Sequence, residues 1–192
     1  VDSVPMAKTI AEFDEKAERL AEKFWPGPLT MVLKSRGAVP EGVTAGLDTV
    51  AIRMPDCDTA LALISAAGVP LAAPSANKSG SPSPTSAAHV AKDFGDDLLI
   101  LDAGGCGIGV ESTVVDMTRK TPIILRPGAV TQDMMEQVVG PVECARVFSP
   151  MEEGRPAAPG MKYRHYAPAA SMVVVEGETA SVAEAIKYLY DK

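Results

Sequence analysis

Two arginines stand at the ends of short apolar segments in this sequence. Arg53 ends the segment 50–53, and Arg126 directly follows the segment 123–125. A guanidinium group at a strand end can bind a carboxylate or a phosphate through two parallel hydrogen bonds. Surface ion pairs explain both residues equally well at this level. If the two arginines bind an anion, that ligand would lie where these segments end.

A polar segment begins directly after the apolar residues 69–73. Ser75 supplies a hydroxyl, and Asn77 supplies both a donor and an acceptor. Thr85 ends the segment where a helix should begin, and the amides of a helix N-terminus favour an anion such as phosphate. A plain turn explains Ser75 and Asn77 better on composition alone, and an N-cap explains Thr85 better. Nucleotide binding is the alternative interpretation.

Other polar residues give weaker signals. Ser112 opens an apolar segment after the glycine-rich residues 104–109, whose spacing does not fit a dinucleotide-binding fingerprint. The histidines are His89 and His165, and no third partner in their sequence context supports a hydrolase triad. Three widely separated cysteines do not have the spacing of a zinc site. The pattern favours hydroxyls, amides and arginines that bind anions, and no metal ligands are predicted.

Apolar periodicity predicts the elements that position these residues. Spacings of three and four predict an amphipathic helix over residues 10–24, with Thr9 as its N-cap. Alternation of such helices with short apolar runs predicts an α/β fold, a twisted mixed β-sheet with packed helices. The predicted strands are residues 29–33, 50–53, 69–73, 98–101, 113–116, 123–125 and 172–175. The other predicted helices are 60–67, Thr85 as N-cap through Phe94, 132–139, and a Ser181–Glu184 capping box through Tyr190.

A change in composition divides the chain. Residues 148–168 are rich in Pro, Gly, Tyr and charged residues and show no apolar period, which predicts a linker. The linker would separate a first domain, residues 1–147, from the beginning of a second α/β domain at residues 169–192. Its prolines and tyrosines are untypical of a disposable Gly/Ser tether, so we expect it to dock rather than to hang free.

Bulk composition excludes several classes of protein. The chain has 192 residues, of which 46% are hydrophobic and 22% are charged, and no apolar run approaches the length of a membrane span. Its formal charge of −7 disfavours tight nonspecific binding to nucleic acid. The first residues do not have the pattern of a signal peptide, although the chain does not begin with methionine. We expect a cytoplasmic protein that does not contact membranes.

Six sequence blocks in series resemble the threonylcarbamoyl-AMP synthase, or YrdC-like, family. The resemblance covers nearly the whole chain, and its last block resembles the linker of longer members that carry a C-terminal domain. It implies an enzyme that forms threonylcarbamoyl-AMP and pyrophosphate from L-threonine, bicarbonate and ATP, with Mg²⁺ assisting the phosphates. The blocks are FWPGPLT at 24–30, VTAGLDTVAIRMP at 43–55, LAAPSANKSGSPSPT at 71–85, GVESTVVD at 109–116, ILRPGAV at 124–130 and APGMKYRHYAP at 158–168.

The resemblance also implies roles for individual residues. No protein nucleophile is needed, and the catalytic residues stay unassigned. Other proteins would pass the threonylcarbamoyl group to tRNA, so tRNA would be an indirect partner. The implied binding residues are Arg53, Ser75 and Ser112 for L-threonine, and Thr49, Asn77, Thr85, Arg126 and Tyr166 for ATP, with Tyr166 closing over the nucleotide.

One departure from the family keeps two alternatives open. The family's domain begins with a Pro-Thr-Glu-Thr-type block and a Lys-x-Arg pair, and neither occurs in this chain. The chain is therefore expected to hold only part of the site, and its activity in isolation is in question. The alternatives are an RNA- or nucleotide-binding module of the same fold without synthase activity, and a carbamoyl-transferring relative. The block at 158–168 favours the threonine-specific enzyme over the latter.

Overall fold

The structure is a computed structural model of the chain that describes residues 1–78, 80–95, 98–145 and 175–190. The predicted linker, Tyr166 and most of the predicted strand at 172–175 lie outside these residues. Seven helices and five strands make up the described part. The helices are α1 Val4–Ile10, α2 Glu15–Phe24, α3 Glu41–Thr44, α4 Asp58–Ala67, α5 Ala87–Phe94, α6 Gln132–Val139 and α7 Thr179–Tyr190. The strands are β1 Leu29–Lys34, β2 Thr49–Ile52, β3 Thr113–Asp116, β4 Ile123–Arg126 and β5 Glu143–Cys144.

The five strands form one mixed sheet in the order β2-β1-β3-β4-β5. β1 pairs in parallel with β3, and β4 with β5, whereas β1 with β2 and β3 with β4 are antiparallel pairs. These directions bring the start of β1, the end of β2, the start of β3 and the end of β4 to the same edge of the sheet. The predicted fold class, a mixed sheet with packed helices, is confirmed.

One face of the sheet carries the core. Leu29, Met31 and Leu33 alternate along β1 and are buried against helices α1, α2 and α6. Leu20 of α2 and Met135 of α6 are fully buried there, and burial of each such side chain contributes roughly 1.5–3 kcal/mol. The opposite face holds a small cluster of Val32 and Val114 with Leu125 packed against it. Polar side chains on this second face therefore do not pack in the main core.

The predicted helix over residues 10–24 is wrong in its first part. The chain breaks at Ala11, which forms an isolated antiparallel bridge with Ser35. The backbone amide of Glu12 donates to the carbonyl of Lys34 at 2.9 Å. Helix α2 then begins after Asp14, whose carboxylate accepts from the amide of Ala17 at 2.8 Å. The pairing of Ala11 with Ser35, next to the end of β1, and the stronger N-cap at Asp14 outweigh the helical period. Thr9, the predicted N-cap, lies inside α1.

Two predicted strands do not form. Residues 69–73 and 98–101 make no ladder with any described strand. Their apolar side chains stay accessible, with Leu71 41% and Leu99 89% exposed. A short apolar run becomes a strand only where a neighbouring strand and a covering layer accept it. Sequence pattern alone could not test that condition.

Helix ends differ from prediction in two further places. Ser86, not Thr85, is the N-cap of α5, and its side chain makes no capping hydrogen bond. Ser181 lies inside α7, which begins at Thr179, so the predicted capping box is absent. The predicted C-terminal glycines hold, since Gly68 caps α4 in the left-handed conformation and Gly95 follows α5. No helix among the described residues is long and apolar enough to cross a membrane.

Candidate functional site

Four polar residues meet where strands β1 to β4 share one edge. Thr30 pairs in register with Val114 across the parallel β1–β3 ladder, and Arg126 pairs with Val114 from the other side. Met31 lies opposite Ile52 on β2, so the antiparallel register continues to Thr30 opposite Arg53. Ser112 directly precedes β3. The predicted residues Arg53, Ser112 and Arg126 are thus brought together, with Thr30 among them.

These side chains project from the face opposite the core. Thr30 alternates with the fully buried Leu29 and Met31, and it shares its face with Val32. Arg53 follows the buried Ile52 and lies on the face of the exposed Ala51. We name Thr30, Arg53, Ser112 and Arg126 the strand-edge cluster. It is a polar patch on a rigid support, because every member sits in or beside a hydrogen-bonded strand.

Ser112 is the centre of the strand-edge cluster. The Arg126 guanidinium donates to the Ser112 carbonyl through Nε at 3.1 Å and through Nη2 at 2.9 Å. Nη2 also donates to the Ser112 Oγ at 3.2 Å. The Ser112 Oγ lies 2.7 Å from the Thr30 Oγ1, a hydroxyl–hydroxyl hydrogen bond between β1 and the start of β3. Arg126 is therefore held in a fixed orientation, with its Nη1 outside these bonds.

The Arg126 guanidinium is close enough to Arg53 to influence the pKa of Arg53. Burial lowers the pKa of Arg53, and the positive charge of Arg126 lowers that pKa further. The described part of the chain has ion pairs at Lys8–Glu18 and Asp116–Arg119, and neither involves these two arginines. Two neighbouring cations without a carboxylate partner in the described ranges favour an external anion, which would offset their repulsion.

The turn after β4 presses against the Ser112 segment. A Cβ on Gly128 would lie 2.5 Å from the carbonyl oxygen of Glu111 and 2.6 Å from the amide nitrogen of Thr113. The buried Thr113 hydroxyl donates to the carbonyl of Val130 at 2.7 Å and accepts from its amide at 3.1 Å. Glycine is required at 128 by this close backbone approach, which fixes the position of Ser112.

The segment before β1 ties two strand ends together. The amide of Gly27 donates to the carbonyl of Met54, next to Arg53, at 2.9 Å. The carbonyl of Pro28 accepts from the amide of Thr113 at 2.9 Å. The Trp25 indole donates to the Leu29 carbonyl at 2.7 Å, and the Trp25–Pro26 peptide is cis. Residues 24–30 thus hold the end of β2 and the start of β3 in a fixed relative position.

A second group of predicted residues lies in the loop between α4 and α5. The Asn77 amide donates to the carbonyls of Lys78 and Ser81, both at 3.0 Å. Its Oδ1 is buried and has no hydrogen-bond partner among the described residues, and the same is true of the Ser83 Oγ. Ser75 is exposed at the start of this loop. A buried acceptor without a partner is uncommon, so the Asn77 Oδ1 is available to a ligand donor.

Thr85 closes that loop at the start of α5. Its amide donates to the His89 Nδ1 at 3.3 Å, and its Oγ1 lies 3.4 Å from the same atom. Its carbonyl accepts from the amide of Cys106 at 2.9 Å, which links the loop to the glycine-rich segment. Among the described residues, no side-chain hydrogen bond joins this loop to the strand-edge cluster. The structure therefore gives two separate groups of candidate residues.

Thr49 lies at the opposite end of β2 from the strand-edge cluster. It begins β2 opposite Lys34, four residues before Arg53, which corresponds to about 13 Å along an extended strand. It lines a cavity of about 510 Å³ at the other edge of the sheet, together with Glu12, Phe13, Asp14, Leu33, Lys34, Asp48, Met117 and Thr118. Within the described part of the chain, no hydrogen bond joins the Thr49 side chain to another predicted residue. Its role stays a prediction.

Sequence reasoning missed two members of this site. Thr30 is the last residue of the block FWPGPLT, and Gly128 lies in the block ILRPGAV, but the family resemblance implied no role for either residue. Their contacts with the Ser112 segment depend on pairing between elements far apart in the chain, since Thr30 and Ser112 are separated by 82 residues. Only the parallel register of β1 and β3 reveals the hydroxyl pair.

Comparison with known families matches two models to the chain. A model described as telomere recombination matches residues 1–128. A model of the threonylcarbamoyl-AMP synthase C-terminal domain matches residues 130–191.

Curated relatives and a solved structure indicate the same family as these models. A threonylcarbamoyl-AMP synthase of Pyrococcus abyssi is 50% identical over 94% of this chain and 54% of its own length. One from Bacillus subtilis is 49% identical over 90% of this chain and 50% of its own length. The crystal structure of P. abyssi Sua5 complexed with L-threonine matches with a TM-score of 0.91 at 49% identity, covering 97% of this chain and 56% of that one. The chain spans about half the length of the curated relatives it matches.

Proposed function

Because the chain belongs to the threonylcarbamoyl-AMP synthase (YrdC-like) family, we propose that the protein containing it is an L-threonylcarbamoyladenylate synthase. Its substrates would be L-threonine, bicarbonate and ATP, and its products threonylcarbamoyl-AMP and pyrophosphate. The observation that supports this most is the strand-edge cluster, where the Ser112 hydroxyl lies beside Arg126, Arg53 is close to Arg126, and neither arginine has a carboxylate partner among the described residues. Such a cluster suits the meeting of two anionic reactants.

The reaction consists of two bond-forming steps. The threonine amine bonds to the carbon of bicarbonate with loss of water, which gives a carbamate. A carbamate oxygen then bonds to the α-phosphorus of ATP, and the bond from that phosphorus to the pyrophosphate oxygen breaks. Both reactants of the second step are negatively charged, so their approach depends on fixed cations and aligned donors. Positioning and charge stabilisation are the work that this chain's residues can perform.

We assign L-threonine to Arg53, Ser75 and Ser112. The Arg53 guanidinium would hold the threonine carboxylate through its planar pair of donors. Ser112 would donate its hydroxyl to the same ligand, because its other bonds already fix its place beside Arg126. Ser75 is solvent-accessible and would supply a hydroxyl from the neighbouring loop. Threonine would then lie with its amine free to form the carbamate.

We assign ATP to Thr49, Asn77, Thr85, Arg126 and Tyr166. Arg126 touches Ser112, so it would sit between the two substrates, where the carbamate must reach the α-phosphate. The Oδ1 of Asn77, which lacks a partner among the described residues, would accept a hydrogen bond from the nucleotide. Thr85 stands next to the N-terminus of α5, where backbone amides favour phosphate. Tyr166 lies outside the described residues and is proposed to close over the nucleotide.

The remaining proposals concern the setting of the reaction. The described residues contain no group of three His, Cys, Asp or Glu side chains that could hold a metal. Mg²⁺ would offset the charge of the nucleotide phosphates. The product would pass to downstream tRNA-modification proteins, with tRNA an indirect partner, in the cytoplasm. The catalytic domain would span residues 1–147, the linker 148–168 and the beginning of the C-terminal domain 169–192.

Pyrophosphate release from ATP by the complete gene product tests the proposal. Release should depend on both L-threonine and bicarbonate, and Arg53→Lys should lower it, because lysine keeps the charge but loses the planar fork. A nucleotide-binding module without synthase activity would bind ATP in calorimetry but release no pyrophosphate. A carbamoyl-transferring relative would release it without threonine. Either result would reject the proposed function.

A further inference from the structure

We propose that Thr30 is a positioning residue of the threonine site, which acts by orienting the Ser112 hydroxyl. The inference rests on the proposed function, since it concerns how Ser112 would meet L-threonine. Thr30 lies on β1 and Ser112 at the start of β3, and their hydroxyl oxygens are 2.7 Å apart. Both residues are half-buried. The contact therefore joins two strands at the point where the ligand would bind.

The hydrogen bonds already made around Ser112 limit which further hydrogen bond its hydroxyl can form. Arginine can only donate, so the 3.2 Å contact from Arg126 Nη2 already fills one acceptor position of the Ser112 Oγ. When Thr30 donates as well, both acceptor positions are filled, and the Ser112 proton must point outward to a ligand oxygen. When Ser112 donates to Thr30 instead, the Thr30 proton is the free one. In either arrangement the pair offers one hydroxyl proton to a ligand.

This arrangement selects for a ligand that accepts. A carboxylate or carbamate oxygen can receive the outward proton in either arrangement, whereas an ammonium group finds both acceptor positions of Ser112 occupied when Thr30 donates to Ser112. Thr30 is suited to hold the arrangement, because a β-branched side chain has few χ1 choices and its hydroxyl direction is fixed by the strand. Thr30 is also a strand residue, and that role depends on its branched shape, which valine shares.

Two substitutions separate the hydroxyl from the shape. Thr30→Val removes the hydroxyl and keeps the branched side chain that strands favour. Thr30→Ser keeps the hydroxyl and loses the methyl group. We expect Thr30→Val to raise the dissociation constant for L-threonine about tenfold, the order expected when an oriented hydrogen bond to a charged group is lost. Thr30→Ser should stay within about twofold of the parent.

The measurement is isothermal titration calorimetry of L-threonine with the complete gene product, which does not require turnover. A third variant, Ser112→Ala, completes a double-mutant cycle. With no Ser112 hydroxyl left to orient, adding Thr30→Val to Ser112→Ala should change the dissociation constant by less than about twofold. A purely structural role of Thr30 would instead make the two effects multiply. Thermal unfolding of each variant verifies that the fold is kept.

Three results with the variants would overturn the inference. They are a Thr30→Val variant that binds L-threonine as the parent does, equal losses in the Val and Ser variants, and multiplying effects of Thr30→Val and Ser112→Ala. A parent that fails to bind L-threonine would overturn it too. A parent that binds L-threonine but releases no pyrophosphate would reject the proposed function alone, and the double-mutant cycle would still decide the role of Thr30.

Discussion

Gly128→Ala should disturb the strand-edge cluster through a direct backbone clash. The added Cβ would lie 2.5 Å from the Glu111 carbonyl oxygen and 2.6 Å from the Thr113 nitrogen. Ordinary contact begins near 3.4–4 Å, so the backbone at Glu111–Thr113 must give way by about 1 Å. Overpacking of this kind costs about 1–3 kcal/mol of unfolding free energy.

The same displacement should reach the site. Ser112 sits between the two residues that the new methyl group would strike, and its carbonyl receives the 2.9 Å and 3.1 Å bonds from Arg126. A misplacement near 1 Å can cost about 100-fold in rate. We therefore expect Gly128→Ala to lower kcat/KM for pyrophosphate release by roughly two orders of magnitude, measured beside urea unfolding of the complete gene product.

Gly42→Ala is the matched control for this substitution. A Cβ at Gly42 meets nothing within 4 Å, and the residue lies in helix α3. Alanine there should be neutral or stabilise the protein by up to about 1 kcal/mol. The reasoning is refuted if Gly128→Ala matches Gly42→Ala in both unfolding free energy and kcat/KM. Loss of stability with unchanged kcat/KM would show that Gly128 supports the fold without positioning Ser112.

Three further predictions concern the substrates. Asn77→Ala and Arg126→Ala should each weaken ATP binding by about 1–3 kcal/mol in calorimetry, because each removes a hydrogen bond to a charged or buried group; unchanged affinity in both would remove these residues from the nucleotide site. Arg53→Lys should raise KM for L-threonine in pyrophosphate release, and an unchanged KM would leave Arg53 a structural role. Hydrogen exchange at residues 161–166 should slow when ATP and L-threonine bind, if the linker closes over the nucleotide; equal exchange with normal activity in Tyr166→Ala would leave a spacer.

The part of the fold that follows local rules could be predicted from the sequence. The apolar run at 29–33 became β1, and the run at 123–125 became β4. Gly68 ended α4 as expected, because glycine adopts the left-handed conformation without strain. These elements depend on residues next to one another in the chain, which sequence patterns record.

The rest depended on distant partners. The break at Ala11 arises from pairing with Ser35, and the run at 98–101 stays out of the sheet with Leu99 89% exposed. At the site, the positions of Arg53 and Arg126 at strand ends could be predicted, but their proximity to each other and the contact of Arg126 with Ser112 required the sheet order. The Thr30–Ser112 pair spans 82 residues and left no local signal.

A crystal structure of the complete gene product with L-threonine and a non-hydrolysable ATP analogue tests the central claim most directly. The account predicts that the threonine carboxylate lies within hydrogen-bond distance, about 2.7–3.2 Å, of the Arg53 guanidinium and the Ser112 hydroxyl. It also predicts that Arg126 lies between the threonine and the α-phosphate. Threonine bound away from the strand-edge cluster, with Arg53 and Ser112 unchanged and uncontacted, would contradict it.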